Sequence, residues 1–375
     1  MLGFIYYSIH NMRLKQLDFL RAIAILLVIG RHWYLPTTGA LSIWAKAGWA
    51  GVDLFFVISG FLISGLLFSE YKKEGKISFP RFFVRRGFKI YPAFFVFLLL
   101  APIALTITTG SFGTQVDYKK STDTAHYYHE YFFLQDYFPG VFPHTWSLAV
   151  EEKFYLLLPL LLILLIAYSK RKEKLESIPL MFVIIAVGCL AMRYATSWLT
   201  NDYHVYLRPF HLRMDALFFG VLISYLYHFK GEKFEAWIKK YKWPVIIASL
   251  LFISTAFIFD LESLFMHTSG LTLLYLGFGG ILAVMVYSKP ITNKWFNGLA
   301  SIGVYSYSIY LWHITVGMFL QTNLRTYFPM TYGIEFAIYL LMTVAFGILM
   351  AKIVEFPMLK LRDWIIPKKE EMFVK

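Results

Sequence analysis

"FLRAIAILLVIGRHW" (residues 19–33) is the stretch whose reading decides the fold. It reads as a lipid-facing helix, yet it holds Arg21, Arg31 and His32. A cation near the centre of a helix in a bilayer costs roughly 2.5–3.5 kcal/mol on insertion scales. Something must offset that cost, and a ligand or a chemical step is the expected source.

The rest of the chain has the same character. Of 375 residues, 58% are hydrophobic and only 16% charged, with a mean hydropathy of +0.57. A soluble domain would carry about a quarter charged residues. Repeated apolar runs of roughly 20 residues are long enough to cross ~30 Å of hydrocarbon. The period-2 alternation of a membrane β-barrel is absent. The expected fold is therefore an all-α integral membrane protein, a bundle of about ten transmembrane helices. The spans are expected near 17–36, 49–69, 90–109, 148–168, 178–198, 211–228, 244–260, 269–287, 299–320 and 335–354.

Ten is even, so both termini are expected on one side. The terminal side carries 26 of the 36 Lys and Arg, the opposite loops carry 5, and 5 lie in or at the edge of spans. By the positive-inside bias both termini are expected in the cytoplasm. The net charge of +13 is then mainly a topology signal, and nucleic acid is not an expected partner. Cys189 stands alone, which excludes an intrachain disulfide and suits a packing residue. "MLGFIYYSIHNMRLKQ" does not read as a cleavable signal peptide, and Met12 makes a more natural start. No internal repeat or low-complexity linker is found. One membrane domain over residues 1–375 is expected, with cytoplasmic tails at 1–16 and 355–375 and no appended soluble domain. The aromatic segment 110–147 is expected to be ordered at the interface.

Helix geometry relates the two odd residues of the opening stretch. From Arg21 to His32 is 11 positions, or three turns plus about 20°, so both lie on nearly one stripe about 16 Å apart. An elongated anionic ligand could rest its charge near Arg21 and extend its reactive end toward His32. The plain alternative is that both arginines reach to headgroups and His32 is a packing residue.

Several blocks resemble, in order, the bacterial membrane acyltransferase-3 family. They are "LDFLRAIAILLVIGRH" (17–32), "GVDLFFVISGFLIS" (51–64), "FFVRRGFKIYPAFF" (82–95) and "HTWSLAVEEKFYLLLP" (144–159). "RMDALFFGVLI" (213–223), "SIGVYSYSIYLWH" (301–313) and "VEFPM" (354–358) continue the match. Two positions depart from the pattern. Lys89 stands where a third arginine is usual, without the planar fork that grips phosphate bidentately. Lys153 stands where the family has glutamine.

The resemblance implies O-acylation of an envelope or exported carbohydrate, or a lipid-linked glycan, with cytoplasmic acyl-CoA as donor. Acetyl-CoA is the leading expectation, with no metal. A sugar hydroxyl needs a base at neutral pH, and His32 suits that role. Glu151, or alternatively Asp53, is expected to orient its ring in the manner of a triad carboxylate. Asp53 could also simply cap its helix. Arg21, Arg85, Arg86 and Lys89 are the expected donor-binding residues, the last three at spacings that let them converge on one ligand. Trp146, Arg213 and Asp215 are candidate acceptor-binding residues, with a structural ion pair the stronger reading for the last two. His313 reads as a core histidine, and "SGFLISG" as a close helix crossing. A multi-pass protein of the bacterial cytoplasmic membrane is the expected setting. The rival class is a transporter of an anionic solute or lipid-linked sugar along the same charged path. No P-loop, zinc-ligand spacing or nucleophile elbow is present.

Overall fold

The computed structural model describes residues 15–33, 40–109, 124–169, 175–200, 202–288, 293–327 and 330–367. The extreme tails and the reading of Met12 as the start lie outside the described residues. Within them the chain is helical, and no strand is found. Ten of the described helices overlap the expected spans. They are α1 (Lys15–Arg31), α2 (Gly51–Glu74), α3 (Phe79–Thr109), α4 (Trp146–Tyr168) and α5 (Ile178–Leu199), then α6 (Phe210–Phe229), α7 (Lys242–Ile258), α8 (Leu271–Val286), α9 (Ser306–Tyr327) and α10 (Tyr332–Met350).

Five of the described helical stretches are long and apolar enough to cross a membrane, or six if the bent pair Gly231–Lys240 and Lys242–Ile258 counts as one span. The helices α1 and α4, which carry charged motifs, are not among these. The ninth expected span is broken. Lys294–Val304 forms a separate helix, capped by the Asn293 side chain, and α9 begins only after Tyr305. Helix α2 ends at Gly75, whose φ of 72° gives the left-handed cap that a β-carbon would strain.

Helix α2 is the hub. It packs along α6 and also touches α1, α8 and α4. The α2–α6 crossing is close because it lacks side chains: a β-carbon on Gly60 would run into the Leu217 carbonyl, and one on Gly220 into that of Val57. This is the small-residue crossing expected of "SGFLISG", and it lets backbones meet without a hydrophobic driving force from water. Gly220→Val should therefore lose about 1–3 kcal/mol through overpacking. Thermal unfolding in detergent checks it, and an unshifted midpoint would contradict the crossing.

Two ion pairs sit inside this packing. Arg213 meets Asp53 at 2.7 Å, and Arg193 meets Asp215 at 2.8 Å, with all four side chains at most 3% exposed. Arg193 also donates to the Leu212 carbonyl and to Thr272. Buried charge is tolerated in such surroundings only when paired and hydrogen-bonded. A π-helical turn at Ala351–Glu355 links α10 to the terminal helix Phe356–Ile365 and carries Glu355 to α3.

Candidate active site

A cavity of about 280 Å³ opens between α2, α3, α4 and α9, with Arg21 of α1 on its wall. Ser59, Arg86, Glu151, Tyr155 and Tyr310 supply much of its polar lining. A second cavity, about 600 Å³, shares Leu66, Arg86 and Lys89 with the first, so the two adjoin. Its lining includes Lys73, Arg81, Arg85 and Arg362, the last paired with Asp363, beside the carboxylates Glu70 and Glu74. The result is a wide cationic mouth leading into a narrower apolar and aromatic interior.

The basic motif of α3 divides at this junction, so the convergence expected from its spacing is only partial. Arg86 turns inward, donates to the Tyr155 hydroxyl at 2.9 Å, and lies 4.4 Å over that ring. Tyr155 in turn donates to Glu151 at 2.5 Å, and Ser59 donates to the same carboxylate at 2.7 Å. This continuous belt runs from α3 through α4 to α2. Lys89 instead pairs with Glu355, which also accepts from Ser308 at 2.9 Å. Arg85 pairs with Asp363 of the terminal helix at 2.9 Å. Glu152, which no sequence reading singled out, is buried beside the belt. It accepts from Tyr91 at 3.1 Å, and its other carboxyl oxygen has no hydrogen-bond partner among the described residues.

His32 lies beyond the far end of the cavity. Ser147 and Tyr310 line that end and share a 2.7 Å hydrogen bond, and the Tyr310 hydroxyl also donates to the His144 carbonyl. Behind them stand the imidazoles of His144 and His313, 5.1 Å apart, and His32 is 4.9 Å from His313. Arg21 lines the cavity whereas the exposed His32 does not, so the cavity does not follow the whole of the expected stripe.

Among the described residues, the expected carboxylate partner of His32 is not found. Its hydrogen bonds run to the Val28 carbonyl at 2.9 Å and to His313 at 3.1 Å. Glu151 belongs to the cavity belt, and Asp53 is held by Arg213. Arg213 and Asp215 are engaged in buried ion pairs. The Arg213 guanidinium lies 5.5 Å over the Trp146 ring, and Phe56 packs edge-on against that ring. Trp146 is therefore engaged within the bundle. Lys153 binds Asp136 and the Phe133 carbonyl, both at 2.6 Å, and so ties α4 to the preceding connection. Among the described residues, no group of three or more His, Cys, Asp or Glu could hold a metal ion.

The connection before α4 holds His144 in place through Glu130. This fully buried carboxyl accepts from the Phe142 amide at 2.9 Å and from the Thr145 hydroxyl at 2.8 Å. Burial pushes it up from 4.5 to about 8, against the opposing pull of those hydrogen bonds. The folded state thus holds a proton that the unfolded chain releases, and its stability contribution, full below pH 4.5, is lost as pH rises to about 8. Glu130→Gln should gain in melting temperature relative to the native chain as pH rises from 5 to ~8. Parallel melting curves across that range would overturn the assignment.

With this geometry in hand, the chain can be classified: it belongs to the acyltransferase-3 family, whose model, described as an acyltransferase domain, matches residues 14–352. It is a multi-pass membrane protein of that family. It is 27% identical over 322 residues to the peptidoglycan O-acetyltransferase OatA of Listeria monocytogenes, covering 80% of this chain and 49% of the relative. It is 29% identical over 330 residues to the O-acetyltransferase OatA of Staphylococcus aureus, covering 82% and 51%. The chain thus spans about half the length of these curated relatives. No solved structure matches it.

Proposed function

We propose that this chain is an integral membrane O-acetyltransferase. In this reading it takes an acetyl group from cytoplasmic acyl-CoA and delivers it to a hydroxyl of an envelope or exported carbohydrate. Both termini then lie in the cytoplasm. The observation carrying the reading is a cation-rich cavity adjoining a second one lined by Ser147 and Tyr310, with Tyr310 beside His313 and His313 4.9 Å from His32. Coenzyme A carries a diphosphate and a ribose phosphate on a long, thin pantetheine arm. Lys73, Arg81, Arg85 and Arg362 at the mouth suit the phosphates. Arg86 and Lys89 mark the narrowing through which the arm would enter.

The chemistry follows from the far end. An alcohol is a poor nucleophile at neutral pH, and His32 acts as the base that takes its proton. The exposed ring suits an acceptor arriving from outside the bundle. Transfer then requires the Tyr310–His144–His313 layer to part or to be crossed by the acyl group. A carbohydrate acceptor draws support from the name of the Listeria relative, a peptidoglycan enzyme.

Mass spectrometry of the envelope polysaccharide, from cells with and without the protein, tests the proposal. One acetyl increment per modified unit, present only with the protein, is the expected result. Heat protection of the purified protein by a hydrolysis-resistant acyl-CoA is expected beside it. Solute flux through proteoliposomes without any acyl donor, and no increment, would favour a transporter instead.

A further inference from the structure

His313 was expected to be a core residue, and it is fully buried, but its hydrogen bonds do more than fill space. A carbonyl oxygen only accepts. The Nδ1 of His313 lies 2.6 Å from the Tyr310 carbonyl, so Nδ1 carries the hydrogen and Nε2 the lone pair. The Nδ1 of His32 lies 2.9 Å from the Val28 carbonyl, so it too carries a hydrogen. That same Nδ1 is 3.1 Å from Nε2 of His313, an acceptor already free of hydrogen. All four assignments agree, and they leave one lone pair over, on Nε2 of His32.

We propose that His313 is the positioning residue of the catalytic base: its Nε2 holds the His32 ring through the shared Nδ1 hydrogen and leaves Nε2 of His32 as the nitrogen that takes the acceptor's proton. This rests on the reading of His32 as general base. A neutral imidazole here fills the place that a carboxylate fills in a serine-type triad. It brings no second charge into a buried wall, where an unpaired carboxylate would be costly. It also accepts from the imidazolium once that forms. The step balances. As the acceptor oxygen bonds to the acyl carbon, its proton passes to Nε2 of His32 and the thioester carbon–sulfur bond breaks. The imidazolium then returns the proton to the departing thiolate, and the ring ends as it began. His144 packs edge-on against the other side of His313 and completes the layer.

Two amide substitutions separate this role from a purely structural one. In His313→Asn the short amide can still donate to the Tyr310 carbonyl but does not reach His32. In His313→Gln the longer amide places an oxygen where Nε2 stood. Acetyl transfer to a soluble oligosaccharide is followed in nanodiscs, with acetyl-CoA as donor and His32→Ala as reference. The expected result is a kcat about 10²-fold lower for Asn, the lower end of what a general base contributes. The Gln protein should recover to within about tenfold of native, and the donor KM should hold constant throughout. Equal rates for Asn and Gln, at whatever level, would overturn the positioning role while His32→Ala remains far below native. Native turnover by His32→Ala would instead remove the general-base reading itself, so the two failures are distinct.

Discussion

Replacing His32 with alanine is expected to lower kcat by about 10³-fold, the middle of the range for loss of a general base. Donor KM should change little, because the His32 side chain does not line the cavity assigned to the donor. The measurement is initial-rate transfer by purified protein in nanodiscs, with folding checked by heat protection from an acyl-CoA analogue. A variant that turns over normally would leave the ring layer around Tyr310, His144 and His313 without a chemical purpose. A variant that loses donor affinity along with turnover would show that the donor's reactive end reaches His32 in the resting complex. Either result bears on how the cavity and the exposed imidazole communicate.

The second large effect concerns stability. Asp215→Ala should cost about 3–5 kcal/mol, because it strands the Arg193 guanidinium in a site 1% exposed. The double change Asp215→Leu with Arg193→Met should recover most of that loss, since an apolar pair of similar volume needs no compensation. The exposed pair Lys239–Glu235 supplies the control: Glu235→Ala should move stability by well under ~1 kcal/mol. Equilibrium unfolding in mixed micelles compares the three. Equal shifts for Asp215→Ala and Glu235→Ala would show that the buried pair is hydrated and not the structural clamp described above.

Several elements were legible before any coordinates. The apolar runs overlap ten of the described helices, and the glycines of "SGFLISG" anticipate the α2–α6 crossing. The cations of "RRGFK" do line the mouth, because positions three or four apart share a helix face. The division of labour among them was not legible. Arg86 reaches Tyr155 on α4, while Lys89 and Arg85 reach Glu355 and Asp363, more than 260 residues away. Lys153, marked only as a departure from the family's glutamine, ties down Asp136. The break at Tyr305 was missed because the residues on both sides of it are equally apolar, so a run of this length reads as one span.

Composition and periodicity by themselves determined that this is a helical membrane protein, and the ordered motifs determined its family. Those signals are local: they depend on which side chains a helix carries and on which face. The tertiary structure alone decided that His32 answers to His313, that Asp53 serves Arg213, and that Arg21 lines the cavity while His32 does not. The reason is physical. Helical periodicity sets the direction a side chain leaves its own helix, but its partner is set by which other helix packs opposite. For His32 that partner lies 281 residues further along the chain.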